Sequence, residues 1–358
     1  MKYFKLFFII TLLVLISFIS FSCCCLISEY YNSIEDSSTE EESNQRYNSI
    51  KAELSDPSDY YISPEEEEDF YRSLGSIYSG EELGEVTTDM EKLKSLYPKG
   101  FFIIVKTAPL YMSGFEIFYY EMPEKTETIP ILDMNTTPSR LNILVHEYTH
   151  IGGGPFSELF DIKKEGYVYL MGNFGIFIEK DIELFEKTEL YQDILNSDDF
   201  DSTYLEPGIG NDGIDFMNIL DEINAYTRSA EIMIAFEESI SAAHHHNTRY
   251  SLLKQMMHLE LYLKRAYDKH PEDWEYIIDH KGLSFLIMKL WQEASRFESI
   301  IKDDDRFNPD SEPVSEFVYN LDNYSIMEKL FNDSGVIQHK ELGFKEADFD
   351  NFEVLPVS

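Results

Sequence analysis

Cysteine is nearly absent: the 358 residues hold three, and all three are consecutive, Cys23-Cys24-Cys25. The body of the chain therefore has neither a disulfide framework nor a cysteine-based metal site. Positive charge is the second scarcity. Lys and Arg number 29 against 67 Asp and Glu, a formal net charge of −38, which argues against a nucleic-acid partner, whose phosphates would be repelled. Tryptophan occurs only twice, as Trp274 and Trp291 in helical stripes that read as core. No repeat of fixed period is visible, and the only long apolar run is Leu6 to Phe21, preceded by Lys2 and Lys5.

That run reads as a targeting segment. Ser20-Phe21-Ser22-Cys23 resembles a relaxed bacterial lipobox, and the resemblance implies a signal peptide over 1–22 with Cys23 as the lipidated mature N-terminus. The competing reading is an uncleaved anchor, since about 20 apolar residues span a bilayer. Either way the chain is expected at the cell envelope, exported and tethered to the membrane. Residues 23–59, rich in Ser, Glu, Asn and Tyr, read as an acidic, disordered tether, and 60–358 as the folded part. With 43% hydrophobic and 15% aromatic residues, that part can bury a sizeable core.

Ser63-Pro64-Glu65-Glu66 reads as a helix start, with serine as N-cap and proline at the first position. Met90, Leu93 and Leu96 mark a second helix, ended by Pro98 and Gly100. The β-branched and aromatic runs 101–106 and 115–120 read as strands, and 128–132 as a proline-bearing edge strand. Tyr167–Met171 reads as a strand or a buried turn of helix, 183–195 as a surface helix, and 198–212 as a loop. Beyond residue 214 the pattern is helical throughout: 214–243, 250–269, 273–279, 284–301 and 311–331.

The stretch that carries chemistry is Thr137 to Gly154, TPSRLNILVHEYTHIGGG. Thr137 suits an N-cap and Pro138 the first helical position. Leu141, Leu144, Val145 and Tyr148 recur at helical spacing, and Gly152-Gly153-Gly154-Pro155 reads as the stop. On that helix His146 and His150 lie one turn apart, so both imidazoles can face one metal ion, with Glu147 beside them to take a proton from water. Two histidines and a carboxylate at the end of a buried helix are costly unless a partner satisfies them.

His146-Glu147-Tyr148-Thr149-His150 and its flanks resemble the active-site helix of the zincin zinc metallopeptidases. The resemblance implies an α+β, zincin-like catalytic domain: a small twisted sheet beside the active-site helix over about 100–155 and a mostly helical C-terminal half over about 214–331. It also implies a Zn²⁺ cofactor, a peptide or protein substrate, and β-augmentation of that substrate along the edge strand or its neighbour at 115–120.

A catalytic zinc needs a third protein ligand. One zincin class places a third histidine where this chain has Phe156, so the glutamate class is the closer likeness. Glu222 is the candidate, in Leu220-Asp221-Glu222-Ile223-Asn224-Ala225-Tyr226, with Asp221 pointing about 100° further out. Glu158, Glu165 and Glu231 are held in reserve. Tyr226 is a candidate oxyanion donor, with simple packing as its alternative. His244-His245-His246 cannot all grip one ion, because adjacent helical side chains diverge by about 100°, and reads as a polar helix end. The expected function is a membrane-tethered zinc metallopeptidase; the alternatives are a surface lipoprotein that uses the scaffold for adhesion and a metal-dependent hydrolase of a non-peptide bond.

Overall fold

The computed structural model describes residues 40–121, 136–159, 166–171, 174–179, 184–190, 216–239, 248–302, 304–307, 311–335 and 352–356. The chain divides into two units, Met1–Ser49 and Ile50–Ser358. Helix α1 spans Glu40–Leu54. In the second unit Ile50 and Leu54 are already buried, so the stretch read as a solvated tether contributes to the core before residue 60.

Helix α2 (Pro64–Ile77) starts as its sequence suggests. The Ser63 hydroxyl accepts from the Glu66 backbone N–H while the Glu66 carboxylate accepts from the Ser63 N–H, a reciprocal pair that satisfies two otherwise orphaned donors. Helix α3 (Gly80–Leu96) follows. Pro98 does not merely end it: proline sits in the first turn of a further helix, α4 (Pro98–Thr107).

Here the expected α+β zincin-like fold is overturned. The run 101–106, read as a strand, lies in α4, and 115–120 forms the end of α5 (Met112–Glu116) and a π turn over Ile117–Glu121. Phe101, Phe102, Ile103, Ile104 and Val105 are all buried, so α4 is apolar on every side, and a short apolar run of this kind cannot be assigned to strand or helix by periodicity. In 115–120 the pair that matters is Phe115 and Tyr119, four residues apart, buried and stacked at 5.8 Å; Ile117 between them is exposed. The expected edge strand 128–132 lies outside the described residues. Among the described residues there is no sheet before the HEYTH helix.

That helix, α6, runs Thr137–Leu159, through the glycines and Pro155 that were expected to stop it. Helical glycine costs about 1 kcal/mol and proline about 3, so the continuation is a tertiary effect: α6 packs on α4, on α7 (Phe216–Ala235) and on strand β1. Gly100 allows the approach of α4, since a Cβ there would stand 3.2 Å from Val145 Cγ2. At the start of α6, buried Asp89 of α3 accepts from Tyr119 Oη at 2.6 Å, Thr137 Oγ1 at 3.1 Å and Arg140 at 3.4 Å. This cluster pins the N-terminal turn of the helix that carries the histidines.

The sheet follows α6: β1 (Gly166–Met171), β2 (Phe174–Glu179) and β3 (Phe352–Pro356), antiparallel in the order β1-β2-β3. Tyr167 pairs with Ile178 and Ile176 with Val354. The surface helix expected over 183–195 is reduced, within the described residues, to a 3₁₀ turn at Lys187–Leu190. The C-terminal helices are α8 (Thr248–Lys269), α9 (Pro271–Asp279), α10 (Lys281–Ile301), α11 (Glu312–Val318) and α12 (Leu321–Ser334). The single helix expected over 311–331 breaks before α12, where the Asn320 side chain caps the new start by accepting from the Asp322 N–H. The described residues are thus mostly helical, with one small sheet among them. Among the described residues no helix is long and apolar enough to cross a membrane; the targeting segment and Cys23 lie outside them.

Candidate metal centre

Two helices build the site. Helix α6 supplies His146, Glu147 and His150; α7, packed along it, supplies Glu222. Helix α7 is buried along most of its length, and its face toward α6 is written at helical spacing: Ala225, Tyr226 and Ser229 each fall within about 60° of the direction of Glu222. Each of them meets a histidine. The His146 and His150 rings lie 4.7 Å apart, with Nε2 facing Nε2 at 3.1 Å. Glu222 Oε2 is 3.7 Å from His150 Nε2. One donor atom from each of His146, His150 and Glu222 lies within 4.8 Å of the others.

The outer nitrogens are held as well. His150 Nδ1 donates to Asp221 Oδ2 at 2.7 Å, and His146 Nδ1 meets Ser229 Oγ at 3.2 Å. Tyr226 lies edge-on to His146, ring centres 4.6 Å apart. Fixing Nδ1 in this way turns each Nε2 lone pair inward, the arrangement in which metal-binding histidines are oriented by a second partner.

Electrostatics separate the two imidazoles. Burial pulls His150 down, but its hydrogen bond to Asp221 and the charges of Asp221, Glu222 and Glu147 outweigh it and push the pKa up to about 9. His146 is held well below the ordinary histidine value by burial and by its neighbour His150, with a backbone hydrogen bond at Ala225 working the other way. His150 is thus the more basic member of the pair and His146 the one held neutral. Burial raises Glu147 above the usual carboxylate range, with His150 drawing it partly back; a raised pKa makes the carboxylate a better base.

The donor set fits a divalent ion. Two ligand atoms about 2.0–2.1 Å from a tetrahedral zinc stand about 3.3–3.4 Å apart, close to the 3.1 Å and 3.7 Å found here. Two imidazole nitrogens and one carboxylate oxygen are a ligand set used for zinc, and binding the ion displaces the proton of His150.

Of the residues singled out in the sequence, His146, His150 and Glu222 come together, with Glu147 and Tyr226 beside them. Glu231 does not: it lies about 180° round α7 from Glu222 and is engaged by Arg228 and Lys99. The Glu158 side chain, Glu165 and His244-His245-His246 lie outside the described residues. Two positions were missed. Asp221, read as pointing away, reaches the far nitrogen of His150, because adjacent carboxylates 100° apart can straddle one imidazole, one at each end. Ser229 is a hydroxyl seven residues after Glu222, and that spacing, two turns along one face, was the available signal. No family model, curated protein or solved structure matches the chain.

Proposed function

We propose that the chain is a zinc-dependent metallopeptidase tethered to the membrane at the cell envelope. The observation that carries this reading is the convergence of His146 Nε2, His150 Nε2 and a Glu222 oxygen from two helices, with Glu147 next in sequence to the first histidine. It rests on these residues and no longer on a zincin-like fold.

His146, His150 and Glu222 are the residues that would hold the metal. When bound, zinc supplies Lewis-acid polarisation of a carbonyl oxygen and brings the pKa of a water down to about 7. Asp221 and Ser229 keep the imidazole rings turned so that their Nε2 atoms face inward. Glu147 accepts the proton of the attacking water and returns it to the leaving amine. Tyr226, beside His146, is the candidate donor to the oxygen on which charge develops.

Purified protein should take up one zinc per chain, and Asp221→Ala should weaken that binding by about 10–100-fold, the usual effect of losing an orienting partner. Metal analysis after zinc-replete purification, followed by competition with a chelator, measures both. Absence of stoichiometric zinc in the wild-type protein would end this reading.

The location rests on Cys23. If an acyl chain there holds the protein, Cys23→Ser should shift it from the membrane fraction to the soluble one. Retention in the membrane would favour the uncleaved anchor over Leu6 to Phe21.

A further inference from the structure

We infer that this site takes cationic peptides, selected by the electrostatic field of the protein; the inference rests on the metallopeptidase reading above. The first observation is global. A net charge of −38 on 358 residues is far from neutrality, and summed fields of this kind raise the local concentration and association rate of oppositely charged substrates by about 10–10³-fold.

The second observation is local. Asp221 and Glu222 lie 2.7 Å and 3.7 Å from His150, and Glu147 sits three residues before it on the same helix. A divalent ion offsets two of those three carboxylate charges, so the loaded centre stays anionic and does not reverse the sign of the surrounding field. Solvent reaches it: the side chains of His150, Asp221 and Glu222 keep 21%, 18% and 14% of their exposure. The two cations nearest in sequence to the ligands are both buried and paired: Arg228 with Glu231 and Glu293, on the side of α7 away from the site, and Arg140 with Glu85 and Asp89. An anionic peptide therefore meets repulsion during approach and again at the centre, whereas lysines and arginines flanking a scissile bond meet attraction at both stages.

The test uses the zinc-loaded chain and two pools of quenched peptides of one length, randomised at the central positions and flanked by lysines or by glutamates. At about 0.01 M ionic strength, where the screening length is about 30 Å, kcat/KM for the lysine pool should exceed that for the glutamate pool by about 10-fold or more. Raising the salt to about 1 M, where screening acts within about 3 Å, should remove most of the difference. Equal cleavage of the pools at low salt, a preference for the glutamate pool, or a lysine preference indifferent to salt would each overturn the inference while leaving the peptidase reading in place. If neither pool is cut, the peptidase reading falls instead. Binding of the same pools to the zinc-loaded chain then decides the charge inference, with tighter, salt-sensitive retention of the lysine pool expected and equal retention overturning it.

Discussion

Glutamine in place of Glu147 should keep the zinc and lose the hydrolysis. Glu147 is on the HEYTH helix but is not one of the three residues whose donor atoms converge, so removing its charge leaves the ligand set intact. What disappears is the proton acceptor. A positioned general base contributes about 10²–10⁴-fold, and kcat/KM on a cleaved peptide should fall by that much while zinc content stays at the wild-type value. Activity within about threefold of wild type would remove Glu147 from the proton transfer, since general-base loss is far larger. A zinc-loaded wild-type protein inert toward a broad peptide library would point instead to a surface protein that uses the site for binding.

The second large effect is expected away from the metal, at Arg228. This residue is fully buried in α7, and it donates to both oxygens of Glu231 at 2.7 Å and to Glu293. Glu231 also accepts from Tyr97 Oη and faces Lys99 Nζ at 3.4 Å. Burial pushes the Glu293 carboxyl up, and Arg228 draws it back. Arg228→Met would leave buried Glu231 with Lys99 alone and half-buried Glu293 without its guanidinium partner. Breaking a buried pair by removing one partner costs about 3–5 kcal/mol, so urea unfolding should shift to a clearly lower midpoint. Arg228→Met with Glu293→Gln leaves the Lys99–Glu231 pair alone and should recover part of that loss. A loss under about 1 kcal/mol in the single variant would mean that the carboxylates take up protons at little cost, contrary to the desolvation expected of unpaired buried charges. The network also sets the rotation of α7: with Arg228 and Glu231 tied to α4 and α10, Glu222 and Ser229 face α6.

The site was more legible than the fold, and the reason is spacing. His146 and His150 are four residues apart and Glu222, Tyr226 and Ser229 follow one helical face, so local geometry alone presents them together. Strand readings at 101–106 and 115–120 failed because β-branched and aromatic residues in a short run also fill a helix buried on all sides, as α4 is. The glycine stop failed for a related reason. The glycines and Pro155 oppose a helix locally, and packing of α6 on α4, α7 and β1 overrides them.

The amino-acid sequence by itself determined the acidic surface, the absence of cysteine chemistry in the body, the capped start of α2 and the pairing of two histidines on one helical turn, because each depends on composition or on neighbours within a few residues. Only the tertiary structure decided that the chain is mostly helical, that Glu222 rather than Glu231 approaches the histidines, and that Asp221 holds His150. Those outcomes depend on how α7 is rotated against α6, and that rotation is set by contacts between residues far apart in sequence, such as Glu231 with Tyr97 and Lys99.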